Sequence, residues 1–199
     1  MTAKNLLAST ASIGLMLDIE TLGTGPDAVV TQTALVGWDL SDPETLLDHP
    51  HFHNWPIQPQ LELLPPRRFE FGTLQFHVKH QTDFTPNDST DFDDLSALAR
   101  HFVRAFDRMT LGGTVKYELW TRGMFDTFIV KSLFKQLGME VPWDFRSERD
   151  LRTLEAISGV NYTDVPKPEG YKKHDAQWDS VFQIMHHTAC MKALGAAKV

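Results

Sequence analysis

The stretch Leu15-Met-Leu-Asp-Ile-Glu-Thr-Leu-Gly23 decides how this chain is read, because an apolar run passes into two carboxylates and then into a turn. Residues 12–19 are rich in apolar side chains and are bounded by Thr21-Leu-Gly-Thr-Gly-Pro26, which predicts a central strand ending in a loop. In a strand, residues two apart point to the same face about 6 to 7 Å apart, so Asp18 and Glu20 converge on one point beyond the sheet. Two unpaired carboxylates there repel. A divalent cation removes that cost and uses both as hard oxygen ligands, which suits Mg²⁺ or Mn²⁺ better than zinc. The plain alternative is an acidic strand end facing water, and Asp-x-Glu alone does not decide between them.

Working outward, residues 29–38 supply a second strand and residues 51–60 a third, the latter bounded by prolines. A short helix is predicted over 73–81. A stronger one is predicted over 91–109, where Leu95, Leu98, Ala99, Phe102, Val103 and Phe106 keep helical spacing. Residues 115–121 read as a strand, 125–137 as a helix stopped by Gly138, and 141–145 as another short strand. The segment 163–170 has the composition of a flexible loop and leads to a final helix over about 175–194. On that helix Ala176, Val181, Phe182, Met185 and Ala189 form the inward stripe, leaving His186 and His187 on its outer part.

Composition bounds the function. A chain of 199 residues, 42% hydrophobic, is long enough for one substantial core, and one domain over 1–199 is expected. Acidic residues outnumber basic ones 26 to 19, for a net charge of −7, which argues against holding nucleic acid by neutralising many phosphates. Gripping one strand end is compatible with it. Cys190 is the only cysteine, so no intramolecular disulfide can form, and a reducing cytoplasm is the expected setting, with Cys190 a small core residue. The segment from Lys4 to Leu17 superficially resembles a signal peptide, but Ser9, Thr10 and Ser12 interrupt it and it runs into Asp18, so a first strand explains it better. No apolar run approaches transmembrane length, and no membrane partner is expected.

Two further motifs carry chemistry. In Trp120-Thr-Arg-Gly-Met-Phe-Asp126 a strand passes through a glycine turn into a helix, which sets Asp126 at the helix start. An ordinary acid favoured by the helix dipole would look the same. In His174-Asp-Ala-Gln-Trp-Asp179 the two ends are five apart, hence turned about 140° on a helix, and cannot share a face. His174 therefore belongs to the loop before the helix, Asp175 serves as N-cap, and Asp179 lies one turn inside. The plain reading is a solvated histidine and a surface acid.

Taken together, Leu17-Asp-Ile-Glu-Thr-Leu-Gly23, Phe125-Asp126 and His174-x-x-x-x-Asp179 resemble the proofreading-type exonucleases, the DEDD superfamily with histidine in the third motif. Trp143-Asp-Phe-Arg-Ser-Glu-Arg-Asp-Leu-Arg-Thr153 and the segment from His174 to Gln183 look like the branch of mycobacterial 3′→5′ exoribonucleases and bacterial exonuclease eight, which many phage proteins share. The second motif is one residue shorter than that branch usually has. Three ordered acidic motifs are far more specific than any one.

The resemblance implies an α/β, ribonuclease H-like fold, a five-stranded mixed sheet flanked by helices. It also implies a metal-dependent 3′→5′ exonuclease releasing nucleoside 5′-monophosphates from the 3′ ends of single-stranded DNA or RNA. By the same resemblance Asp18 would bridge two divalent cations, Mg²⁺ or Mn²⁺, Glu20 and Asp179 would complete the first site, and Asp126 would support the second. His174 would be the general base, on a loop that orders with the substrate end. Leu22, Gly23, Phe125, Arg122 and Arg152 are the expected substrate contacts, with Arg67, Arg68, Arg149, Lys172 and Lys173 as further phosphate candidates and Asp150 a structural or positioning group. Relatives of this kind are often homodimers, and the Pro-rich 56–69 segment could serve that contact. The competing class is a catalytically silent protein that binds nucleic-acid ends on the same fold. His49, His51 and His53 lack an evident fourth ligand for zinc, and Phe69, Phe71 and Phe76 are expected to pack in the core or at a subunit contact.

Overall fold

The computed structural model describes residues 12–41, 51–80 and 94–195. The decisive stretch forms β1 (Ser12–Thr21), buried on both faces because alternate side chains feed different cores. Ile13, Leu15, Leu17 and Ile19 enter the larger core, while Met16 points the other way, to Trp38, Trp120, Leu151 and Ile184. A strand covered on both sides belongs at the centre of a sheet, and each fully buried Leu or Ile contributes about 1.5–3 kcal/mol. β2 (Val30–Asp39) pairs antiparallel with β1, and β3 (His51–Asn54) antiparallel with β2. On the other side β4 (Lys116–Thr121) and β5 (Glu148–Asp150) add in parallel, giving the order β3-β2-β1-β4-β5. The sheet is five-stranded and mixed, as expected.

Six helices flank it among the described residues: α1 (Ile57–Leu61), α2 (Phe71–His80), α3 (Leu95–Thr110), α4 (Phe125–Gln136), α5 (Leu151–Ser158) and α6 (Ala176–Ala193). α3 and α4 close the larger core through Phe102, Phe106, Ile129 and Leu133. Asp94 caps α3 by accepting from the Ser96 amide, and Gly138, at φ +68°, follows the end of α4 as read from the sequence. α6 covers the opposite face, over β1 and β2, with α5 beside it. One glycine makes that face possible. A Cβ on Gly14 would lie 2.3 Å from the Trp38 indole, its partner in the ladder, so only glycine lets the ring lie flat on β1.

Several expectations are corrected. Residues 141–145 form no strand; Pro142 has no amide to give a ladder, and the fifth strand is the charged Glu148–Asp150, followed at once by an unanticipated α5. Ile57 lies in α1, not in β3, because Pro56 leads into a turn of helix. His186 and His187 are buried rather than outward, while Val181, Met185 and Ala189 are only half-buried, because α6 is sandwiched between the sheet and α5. His187 packs edge-on between Trp38 and Trp120, and neither ring nitrogen has a hydrogen-bond partner. Phe69, Phe71 and Phe76 are exposed, not core. Arg67 is buried and donates to the carbonyls of Ala28 and Pro26 and to Gln136 Oε1, so it tethers the chain and meets no phosphate. His53 is buried with its Nε2 3.1 Å from His101 Nδ1, while His49 and the segment 1–11 lie outside the described residues. Cys190 is buried and unpaired. No helix among the described residues is long and apolar enough to cross a membrane.

Candidate active site

The face of β1 that carries Met16 also carries Asp18 and Glu20, and α6 crosses it there. Gln183 on α6 donates through Nε2 to Asp18 Oδ1 at 2.7 Å, and the α6 N-terminus is fixed by the Ala176 amide donating to Gln32 Oε1 on β2. Asp175 caps α6, accepting from the amides of Gln177 and Trp178, so His174 lies just outside the helix and Asp179 one turn inside. That is the arrangement the 140° argument required. The ladder between β1 and β2 slips by one residue after Glu20, with Thr31 bulged and its hydroxyl donating to the Glu20 carbonyl. A bulge at this point re-aims the strand end that bears the acid.

Asp126 enters from the first turn of α4, buried, held by its own backbone amide and by that of Ile19. Asp18, Glu20, Asp126 and Asp179 therefore meet at one end of β1. Burial raises the pKa of Asp18 well above the usual carboxylate range, and Asp126, Glu20 and Asp179 raise it further. Burial, then Asp179 and Asp126, pushes Glu20 up to about 8. Burial pushes Asp126 to about 8, against the pull of its backbone hydrogen bonds and Arg152. Burial raises Asp179 as well, although Tyr171, the His174 amide and Lys173 oppose it. The chain's own cations do not offset this concentration of buried acid, and hard oxygen donors so arranged suit one or more divalent ions. Ligand atoms of Glu20, His174 and Asp179 lie within 4.8 Å of one another; Asp18 and Asp126 are not part of that trio.

His174 has a left-handed backbone (φ +64°), uncommon outside glycine, and its amide donates to Asp179 Oδ2 at 2.9 Å. Its ring packs against Phe76 and His80 on α2, with centroids 4.8 and 5.1 Å away, and its buried Nε2 has no hydrogen-bond partner. Burial first, then Lys173, His80 and His77, lowers its pKa to about 4. The loop expected to bring His174 inward is thus already tied down. Residues not found from the sequence do the tying: the Tyr171 hydroxyl donates to Asp179 Oδ1, and His77 of α2 is buried with its Nε2 2.8 Å from the Thr21 carbonyl. A tyrosine eight residues ahead of Asp179, on the same loop, was the available signal for the first.

The expected substrate residues divide. Gly23 and Phe125 line a cleft of about 420 Å³ beside Glu20, with Thr21, Gly72, Thr73 and Phe76. Leu22 is buried instead, its backbone bonded to Val29 and Glu70. Arg122 is paired with Glu155 at 3.0 Å and lies over the Tyr162 ring. Arg152 faces Gly123 and reaches Asp126 electrostatically, while Asp150 caps α5 and accepts from the Gly123 amide. Arg68 pairs with Asp27 and Arg149 with Glu118, and Lys172 and Lys173 are exposed.

No curated protein matches the sequence. Similar solved structures include cell-death related nuclease 4, with TM-score 0.62 and 17% identity over 95% of this chain and 67% of that one. E. coli exonuclease I in complex with a dA16 oligonucleotide gives TM-score 0.57 and 18% identity over 91% of this chain but 41% of that one, so the chain spans about four-tenths of it. At such identity the likeness is one of fold, and that fold is the ribonuclease H-like one. The model of the 3′-5′ exoribonuclease Rv2179c-like domain matches residues 78–193, more than half of the chain, taking in Asp126, His174 and Asp179. With that match over the second and third acidic motifs and the first motif beside them in space, the chain belongs to the Rv2179c-like 3′-5′ exoribonuclease domain family and is an enzyme of the 3′-5′ exonuclease class.

Proposed function

We propose that the chain, as a single exonuclease domain, removes nucleoside 5′-monophosphates from the 3′ end of single-stranded DNA or RNA with two divalent cations, Mg²⁺ or Mn²⁺. The observation that supports this best is the meeting of Asp18, Glu20, Asp126, Asp179 and His174 at one end of β1. Asp18, Glu20, Asp126 and Asp179 would hold the ions, which when bound supply charge neutralisation and a more acidic water. His174, neutral above its lowered pKa and with Nε2 unpartnered, would accept the proton of the attacking water. Phe125 and Gly23 would border the terminal nucleotide in the cleft beside Glu20, and Arg152 would reach toward its phosphate. Arg122 and Leu22 would first have to leave their present contacts.

A reducing cytoplasm suits the buried, unpaired Cys190. A homodimer contact could use Leu64, which is 95% exposed in the 56–69 segment. The test is release of mononucleotide from 3′-labelled single-stranded DNA and RNA with Mg²⁺, Mn²⁺ or chelator. Release with metal and none with chelator is expected. Tight end binding with no release under any metal would point to the silent binder.

A further inference from the structure

Asp179 is held at both ends by one loop. Its Oδ2 accepts from the His174 amide, and its Oδ1 accepts from the Tyr171 hydroxyl, so two residues three apart in sequence grip a single carboxylate. The Tyr171 ring packs on Phe182, one turn along α6, with centroids 5.3 Å apart, and Lys167 Nζ lies 5.0 Å from the Tyr171 ring centroid. The Tyr162 ring packs on the same Phe182, with centroids 4.6 Å apart. Tyr162 is in turn held by edge-on packing against Phe182 and His186 and by the Arg122 guanidinium, 4.2 Å from its ring centroid. A chain of contacts thus runs from Arg122 through Tyr162 and Phe182 to Tyr171 and Asp179.

We infer that Tyr171 is a positioning residue that makes the orientation of Asp179 and the docking of His174 one event. The inference rests on the reading of Asp179 as a metal ligand. A carboxylate oxygen has lone pairs for both a donor and a cation, so the phenol fixes which way the remaining pair faces without occupying it. With the same carboxylate turned by both Tyr171 and the His174 amide, loss of the phenol frees Asp179 to rotate and removes the partner that seats His174. Arg122 accordingly serves as the outer anchor of this chain of contacts.

Tyr171→Phe in the full-length chain keeps the ring and deletes the hydroxyl. Calorimetric titration of the chelator-stripped protein with Mn²⁺ is expected to show affinity lowered about 10- to 100-fold, the usual effect of losing a group that orients a ligand. The His174 amide should exchange faster, and kcat should fall with KM for a single strand unchanged. Mn²⁺ affinity equal to that of the unaltered chain, with only a lowered Tm, would mark a packing role and overturn the inference. So would an unaltered chain that binds no Mn²⁺. If Tyr171→Phe loses Mn²⁺ but the unaltered chain releases no nucleotide, the positioning role stands and the exonuclease reading falls.

Discussion

Filling the site with a divalent cation should expel protons, and Glu20 and Asp126 set a lower bound on how many. Burial and neighbouring carboxylates push Glu20 to about 8, and burial pushes Asp126 to about 8. At pH 7 a group with that pKa is about nine-tenths protonated, so the two together hold about 1.8 protons, against about 0.2 at pH 9. A ligand carboxylate must be ionised, so those protons leave when metal enters. Both folded pKa values lie above the unfolded ones. The stability these groups contribute to the metal-free protein is therefore fully present below about pH 4, where the unfolded chain also holds the protons, and is lost as pH rises through about 8. The chelator-stripped protein should melt at lower temperature at pH 8.5 than at pH 5.5, and metal should restore most at the higher pH. Mn²⁺ affinity should rise between about 10- and 100-fold per pH unit around neutrality. Titration calorimetry in two buffers of different ionisation heat counts the protons directly. Release of less than about half a proton at pH 7, or an affinity flat from pH 6 to 8, would refute the argument that burial, uncompensated by the protein's own cations, defines this site.

Asp18→Asn keeps shape and removes a carboxyl whose ionisation burial opposes, so it should abolish nucleotide release while raising the melting temperature of the metal-free protein at alkaline pH. His174→Ala should cost about 10²- to 10⁴-fold in kcat without unfolding the chain, checked by circular dichroism alongside the rate. His187 is 3% exposed with neither nitrogen paired, so His187→Leu should stabilise by about 1–3 kcal/mol in urea melts. Burial lowers the His187 pKa to about 4, so its contribution is intact above about pH 6.5 and lost as pH falls toward 4; the leucine variant should lose less stability over that range. Gly14→Ala drives a methyl into the Trp38 indole and should cost about 1–3 kcal/mol, read from the same melts, and an unchanged midpoint would show that the ring can move aside.

What was legible in the sequence follows from what local physics encodes. β1 and β2 announce themselves as apolar runs between turn residues, α3 by its 3,4 spacing, and the start of α6 by Asp175, because each signal lies within a few residues. The helical period alone puts His174 outside the helix, since residues five apart cannot share a face. β5 was invisible because Glu148, Arg149 and Asp150 carry no apolar signature; backbone pairing with β4 makes them a strand. The inward face of α6 was misread because a helix packed on two sides buries more than one stripe, histidines included. Gln183 and Arg67 owe their roles to partners that only the folded chain brings near, the first across 165 residues.

That last separation has a consequence for how such a protein can be made. Asp18 is synthesised well before the glutamine that grips it, the Asp179 beside it and the loop that seats His174. A nascent chain still lacking α6 could pair β1 with β2, but it would present no complete cutting centre. Any nascent chain lies alongside an RNA message, and RNA is one of the two polymers proposed as its substrate. Placing Asp179 on α6, downstream of Asp18, Glu20 and Asp126, means that by order of synthesis the cutting centre stays incomplete until α6 has emerged.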